Sequence, residues 1–169
     1  MGMGKGEQTF ERDIAFGRDN TVPPVRWILK RAFVSDIHGN FEALTAVLAD
    51  IRKQVSEQLY CLVDIVGYGP NPRECIQEMQ HADVCIFGNH DEAVIACPDP
   101  DGFGPLALQP VKWTRGQLQD EDTKFTSSLR RYYQEHSLLL VHGSPKDPTN
   151  EYVLPMDAHN SIKVAALFD

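Results

Sequence analysis

The hydrophobic and polar positions of the chain alternate between short apolar runs and longer amphipathic segments. The apolar runs have the length and the β-branched content of buried strands. From Phe41 to Val55, apolar residues recur at spacings of three and four, which predicts an amphipathic helix. Strands that alternate with helices indicate an α/β fold, with a largely parallel sheet covered by helices. The predicted strands span residues 27–35, 58–66, 83–87 and 137–141.

Further helix signals follow the second and third predicted strands. Asn71 and Pro72 are a typical N-cap and first helical residue, and Glu74 stands at the third position. This helix is predicted to end near Gln80. Three more helices are predicted near residues 92–97, 109–118 and 121–133.

The periodic pattern begins only after the first 28 residues. We therefore predict a flexible leader over residues 1–28 and one domain over residues 29–169. The chain of 169 residues carries 24 acidic against 16 basic side chains, a formal net charge of −8. This balance argues against general nucleic-acid binding, which needs a basic surface to neutralise phosphates.

Membrane insertion and disulfide chemistry are not indicated either. The chain has no apolar stretch near the ~20 residues that a spanning helix requires. Its four cysteines form no C-x-x-C pair, and Cys61 and Cys85 fall inside apolar runs, so we expect structural thiols in a reducing compartment. The expected location is the cytoplasm, and the oligomeric state stays open.

Residue types that bind metals stand at or just after the ends of all four predicted strands. The carboxyl ends of strands in open α/β sheets converge on one crevice, so we expect these side chains to meet there. Any one of them alone would more often be a turn or cap residue, but the set predicts a metal site. The residues are Asp36 and His38, Asp64, Asn89 and His90, and His142.

Oxygen and imidazole donors without thiolates suit Mn²⁺, Fe or Zn²⁺, with Mn²⁺ favoured here. Asp36 and His38 are two residues apart and can share one ion, whereas Asn89 and His142 could hold a second. Asp64 could bridge the two ions. Two divalent ions would supply the positive charge that the acidic chain lacks. They would also bind phosphate oxygens and activate a bridging hydroxide for in-line attack on phosphorus.

His90 need not be a metal ligand, and an imidazole suits protonation of a leaving alkoxide near neutral pH. Tyr68, Asn71 and Arg73 follow the bridging aspartate and are candidate substrate contacts, although turn and helix-cap roles explain them equally well. The expected substrate is a small phosphoester or a nucleotide.

The ordered motifs D-I-H-G-N, D-I-V-G-Y-G-P, G-N-H-D and V-H-G-S-P begin at Asp36, Asp64, Gly88 and Val141. Together they resemble the calcineurin-like metallophosphoesterases, and most closely the small prokaryotic phosphodiesterase-type branch. The resemblance implies a sandwich of two sheets flanked by helices, with a dinuclear metal centre. It also implies the same ligand, bridging and proton-donor roles for the six residues above.

The sequence departs from the family pattern at three places. Val63 stands where the family usually has glycine, and its side chain could crowd the backbone beside the metals. Gly67 and Tyr68 replace the Asp and Arg of the protein Ser/Thr phosphatases, which disfavours that activity. The family's last motif, G-H-x-H, is absent, so we expect a C-terminally incomplete fold with three protein ligands for each ion, weak metal retention and low activity.

Two other classes of function are alternatives to a phosphoric ester hydrolase. One is a catalytically silent metal-binding or partner-binding domain that retains the fold, which an activity assay separates from an enzyme. The other is a dinucleotide-binding domain, which the sequence disfavours because no G-x-G-x-x-G follows the first predicted strand.

Overall fold

The computed structural model of the chain describes residues 29–62, 64–96 and 103–168. The leader predicted over residues 1–28 and the crowding predicted for Val63 lie outside these ranges. Within them, strands and helices alternate in the order that the hydrophobic pattern predicts, so the α/β assignment is confirmed.

Three strands form a parallel sheet in the order β1-β2-β3. In its register, Phe33 lies opposite Tyr60, and Cys61 lies opposite Cys85. The second strand is shorter than predicted because Asp64 takes a left-handed backbone conformation, with φ of 47°, which ends the extended chain. The strands are β1 (Arg31–Val34), β2 (Gln58–Cys61) and β3 (Val84–Cys85).

Helices α1 (Phe41–Lys53) and α2 (Pro72–Met79) connect these strands, and they contact each other. The Asn40 side chain accepts a hydrogen bond from the Ala43 N–H at 3.0 Å and so caps α1. Pro72 begins α2 as predicted, although the Asn71 side chain makes no capping bond. Both helices cover one face of the sheet.

Alternate residues of the strands serve two separate cores. Val34 and Cys61 face the helices and pack with buried residues of α1 and α2, such as Leu48. Tyr60 points to the opposite face, where it packs in a second buried cluster with Leu140. The sheet is therefore the middle layer of the molecule.

The second cluster is covered by an antiparallel hairpin of β4 (Tyr132–Glu135) and β5 (Leu138–Val141). The prediction of a helix up to residue 133 was wrong at its end, because that helix stops at Ser128 and the following residues form β4. The two tyrosines that begin β4 favour a strand, and Tyr133 packs on Tyr60 with ring centroids 5.8 Å apart.

The remaining helices follow β3 and β5 along the chain, and three of them begin earlier than predicted. No helix in the described ranges is both long and apolar enough to cross a bilayer. The remaining helices are α3 (Asn89–Ile95), α4 (Pro105–Gln117), α5 (Asp120–Ser128), a 3₁₀ helix (Pro155–His159) and α6 (Ser161–Ala165).

The described cysteines have the structural character that the sequence predicts. Cys61, Cys75 and Cys85 are free thiols, and the first two are buried. Burial raises the pKa of Cys75 to about 12, which keeps it protonated and unreactive.

A partly buried ion pair joins α2 to α5. The Nε of Arg73 donates to Oδ2 of Asp122 at 2.7 Å, and its Nη2 donates to Oε1 of Gln119 at 2.7 Å. Asp122 is only 1% exposed, and its Oδ2 also accepts from the Gln119 N–H at 2.8 Å. Arg73 therefore links α2 to the start of α5.

We expect Asp122→Ala to lower the free energy of unfolding by about 1–3 kcal/mol, because it leaves the Arg73 guanidinium and a backbone N–H without their acceptor. Urea unfolding followed by circular dichroism measures this change. The control is Glu121→Ala, since Glu121 is exposed and lies 3.9 Å from Arg73. Equal effects of the two substitutions would show that the partly buried pair does not stabilise the fold.

Candidate metal centre

The strand ends meet in a cleft of about 450 Å³. Polar side chains contributed by the segments after β1, β2, β3 and β5 line it, so Asp36 and His142, which are 106 positions apart in the sequence, come together. The cleft contains every residue predicted as a metal ligand or proton donor: Asp36, His38, Asp64, Asn89, His90 and His142.

Asp64 lies at the middle of this group and is only 3% exposed. Its Oδ1 accepts a hydrogen bond from the His90 backbone N–H at 3.0 Å. Its Oδ2 lies 3.8 Å from Nε2 of His38 and 3.6 Å from Nε2 of His142. One carboxylate oxygen is thus held by the backbone, while the other faces both imidazoles.

The first half of the centre consists of Asp36, His38 and Asp64, whose ligand atoms all lie within 4.8 Å of one another. Nδ1 of His38 lies 3.2 Å from the Val66 carbonyl oxygen, so the tautomer that donates this bond directs the Nε2 lone pair toward the carboxylates. The His38 backbone N–H donates to the Asp64 carbonyl at 2.7 Å, which ties the two loops together.

The second half consists of Asn89 and His142 beside the same carboxylate. Nε2 of His142 lies 2.9 Å from Oδ1 of Asn89, close enough for both atoms to bind one cation. The loop after β5 is fixed by its backbone, because the N–H groups of His142 and Gly143 both donate to the Pro148 carbonyl, at 3.1 and 2.7 Å.

Backbone strain is concentrated among the candidate ligands. Asp36, His38 and Asp64 all have positive φ values, of 53°, 50° and 47°. This region is uncommon for residues other than glycine, and strained conformations of this kind persist where surrounding contacts enforce them, often at functional sites.

Two glycines let the loop after β2 approach the imidazoles. A Cβ on Gly67, which has φ of 139°, would lie 2.7 Å from Nδ1 of His90 and 3.1 Å from Nδ1 of His38. A Cβ on Gly69 would lie 2.5 Å from the His38 carbonyl oxygen. Both glycines are therefore required by close packing at the site.

His90 is 7% exposed, and its buried Nδ1 has no hydrogen-bond partner among the described residues. Its ring centroid lies 4.9 Å from that of His38 and 4.7 Å from that of Tyr68. Burial lowers the pKa of His90, while the Asp64 carboxylate acts in the opposite direction.

Asp91 is a structural element of the site that the sequence did not single out. It is fully buried, its Oδ1 accepts from the Val66 N–H and its Oδ2 from the Gly88 N–H, both at 3.2 Å. Burial raises the pKa of Asp91 to about 7. The carboxyl group thereby joins the loop that carries Asp64 to the loop that carries Asn89.

The three predicted substrate contacts are separated in the structure. Tyr68 lines the cleft and is 52% exposed. Arg73 is engaged with Asp122 and does not line the cleft. Asn71 lies next to the site loops, since its N–H donates to the Gly39 carbonyl at 3.0 Å, but its Oδ1 is buried without a partner in the described chain.

The segment after β5 adds cleft residues that no sequence motif marked, among them Thr149, Glu151 and Tyr152. Their position depends on a loop that returns to the cleft, and short polar loops carry no periodic signal. The other histidines, His81, His136 and His159, are exposed and do not line the cleft.

The residues present fit divalent cations. Carboxylate, amide and imidazole donors without sulfur are the set that Mn²⁺, Fe or Zn²⁺ accepts. The buried carboxylate of Asp64 also faces two imidazoles with no Lys or Arg beside it among the described residues that line the cleft.

Comparison with known proteins finds relatives of most of the chain. A family model of the calcineurin-like phosphoesterases matches residues 29–164. An uncharacterised protein of Methanocaldococcus jannaschii is 37% identical over 130 residues, which cover 73% of this chain and 54% of that protein. The chain thus spans about half the length of this relative.

Two further proteins share parts of the chain. The crystal structure of a metallophosphoesterase from Sphaerobacter thermophilus has 37% sequence identity and a TM-score of 0.64, and the match covers 74% of this chain and 51% of that one. The symmetrical bis(5'-nucleosyl)-tetraphosphatase of Actinobacillus succinogenes is 32% identical over 69 residues, 38% of this chain and 25% of that protein. With the family match extending over four-fifths of its length and the ligand-type residues gathered in one cleft, the chain belongs to the calcineurin-like phosphoesterase family.

Proposed function

We propose that the chain is a metal-dependent phosphoric ester hydrolase of the phosphodiesterase or phosphatase type. The observation that carries this proposal is the position of Asp64, with Oδ2 at 3.8 Å from His38 and 3.6 Å from His142. A buried carboxylate oxygen shared by two groups of donors is suited to bridging two cations.

In this proposal Asp36, His38 and Asp64 hold one divalent ion, and Asp64, Asn89 and His142 hold the other. The ions, with Mn²⁺ favoured, would neutralise phosphate oxygens and lower the pKa of a water molecule that attacks phosphorus. Each ion has three protein ligands in this proposal, so hydrolysis is measured with excess Mn²⁺.

The chain's own residues then orient and protonate the substrate. Asp64 keeps its position through the His90 N–H, and Asp91 keeps the two ligand loops together. His90 supplies a proton to the oxygen of the leaving group as its bond to phosphorus breaks. The proposed site of action is the cytoplasm, and the proposed substrate is a small phosphoester or nucleotide.

We expect Asp64→Ala to lower Mn²⁺-dependent hydrolysis of bis-p-nitrophenyl phosphate by more than about a hundredfold, since even outer-shell changes around a metal cost roughly 10–100-fold. Calorimetric titration with Mn²⁺ should lose both binding events. The matched control is Asp50→Ala, an exposed carboxylate on α1. Hydrolysis that survives in Asp64→Ala would exclude the bridging role, and a wild-type chain that binds Mn²⁺ without turnover would instead be a silent metal-binding domain.

We expect His90→Gln to slow hydrolysis of a dinucleotide, whose leaving group is an alkoxide, by about a hundredfold or more. The same substitution should slow bis-p-nitrophenyl phosphate by much less, because nitrophenolate leaves without needing a proton. Comparison of kcat for the two substrates measures the difference. An equal loss on both would contradict the proton-donor role and indicate that His90 only positions Asp64.

A further inference from the structure

Two exposed tyrosines line the cleft together with the candidate ligands. Tyr68 lies in the loop after β2 and is 52% exposed, and Tyr152 lies in the segment after β5 and is 65% exposed. Aromatic rings that remain exposed in a concave site offer flat apolar surface to a planar group of a ligand.

Tyr68 is in contact with the proposed proton donor. Its ring centroid lies 4.7 Å from that of His90 and 4.9 Å from that of His38. Because about half of Tyr68 is still exposed, one part of the ring packs on the histidines while another part faces the cleft. A leaving group that takes its proton from His90 therefore departs alongside this ring.

Tyr152 provides a separate ring in the same cleft. No ring contact joins it to Tyr68 among the described residues, and its backbone carbonyl accepts a hydrogen bond from Lys163 Nζ at 3.0 Å. Lys163 is itself paired with Asp157 at 2.7 Å. The backbone at Tyr152 is thus anchored while its side chain remains open to a ligand.

The charge of the cleft limits the charge of its ligand. The described residues that line it include three carboxylates, Asp36, Asp64 and Glu151, and no Lys or Arg. Before any hydroxide binds, two divalent cations against three carboxylates leave about a single positive charge. This balance matches a phosphodiester, which carries one negative charge, better than a polyphosphate chain.

Basic residues beside the cleft do not change this balance. Arg131 and Lys146 line an adjoining depression. Arg131, however, is paired with Glu92 at 2.6 Å, and Asp147 also lines the depression. A chain of several phosphates that extended in this direction would meet as many carboxylates as cations.

We propose that the cleft takes a singly charged phosphodiester with two planar aromatic ester groups, with the leaving group stacked on Tyr68 and the other group on Tyr152. This inference rests on the proposed hydrolase function. In the step, a water oxygen forms a bond to phosphorus and releases a proton to solvent, the bond to the leaving oxygen breaks, and that oxygen takes a proton from His90, which regains one from solvent.

The kinetic test compares Tyr68→Leu and Tyr152→Leu on two substrates with excess Mn²⁺. Removal of a stacking ring should raise KM by about tenfold. Tyr68→Leu should do so for both bis-p-nitrophenyl phosphate and p-nitrophenyl phosphate, which share the leaving group. Tyr152→Leu should do so only for the diester, because the monoester lacks the second ring. Tyr68→Phe and Tyr152→Phe should keep the wild-type KM.

The matched control is Tyr132→Leu, which removes a tyrosine that is 55% exposed on β4 and does not line the cleft. If the diester is hydrolysed but the Tyr68 and Tyr152 variants behave like this control, the proposed stacking contacts are contradicted. The hydrolase function is not affected by that outcome. Faster turnover of diadenosine tetraphosphate than of the aryl diester would overturn the charge argument.

A binding measurement separates this inference from the proposed function. Calorimetry with Mn²⁺ present should show that diphenyl phosphate binds about tenfold more tightly than diethyl phosphate, and that Tyr68→Leu and Tyr152→Leu each reduce this preference. A wild-type chain without hydrolytic activity would contradict the proposed function. The preference for diphenyl phosphate over diethyl phosphate would then still test whether the two tyrosines bind aromatic ester groups. Equal binding of the two diesters would overturn the inference.

Discussion

The structure depends on a buried carboxylate. Asp64 has little contact with water, and a negative charge in such a place is costly unless donors or cations surround it. One of its oxygens accepts from the His90 N–H, and the other faces the imidazoles of His38 and His142. The surrounding loops hold these partners around one negative charge.

The parallel sheet makes most of this arrangement accessible, because it directs the ends of β1, β2 and β3 to one edge. His142 comes instead from the end of β5 in the antiparallel hairpin. Local contacts then bring the loops within bonding distance. Asp91 ties two of the loops, and Gly67 and Gly69 remove side-chain bulk where backbone and imidazoles touch. The fold therefore provides the direction of the ligands, and buried polar and glycine contacts provide their spacing.

The fold was predictable where one periodicity dominated. The stripe of α1 and the Asn71-Pro72 start of α2 could be recognised because each rests on local backbone preferences. Residues 129–133 do not form the end of a helix as predicted, because the polar and aromatic stretch that becomes β4 fits a strand only when β5 and Tyr60 offer it a partner. Strand ends were also overextended, since the positive φ of Asp64 has no signature in the sequence.

The sequence by itself determined which residue types follow the strands, and hence that acidic, amide and imidazole donors would meet at one edge. The tertiary structure alone decided which neighbours they would have. It placed Arg73 against Asp122 rather than in the cleft, and it brought Tyr152 beside the donors from a loop without any pattern. Such placements depend on contacts between residues far apart in the chain, whereas sequence patterns report mainly local backbone preference and burial.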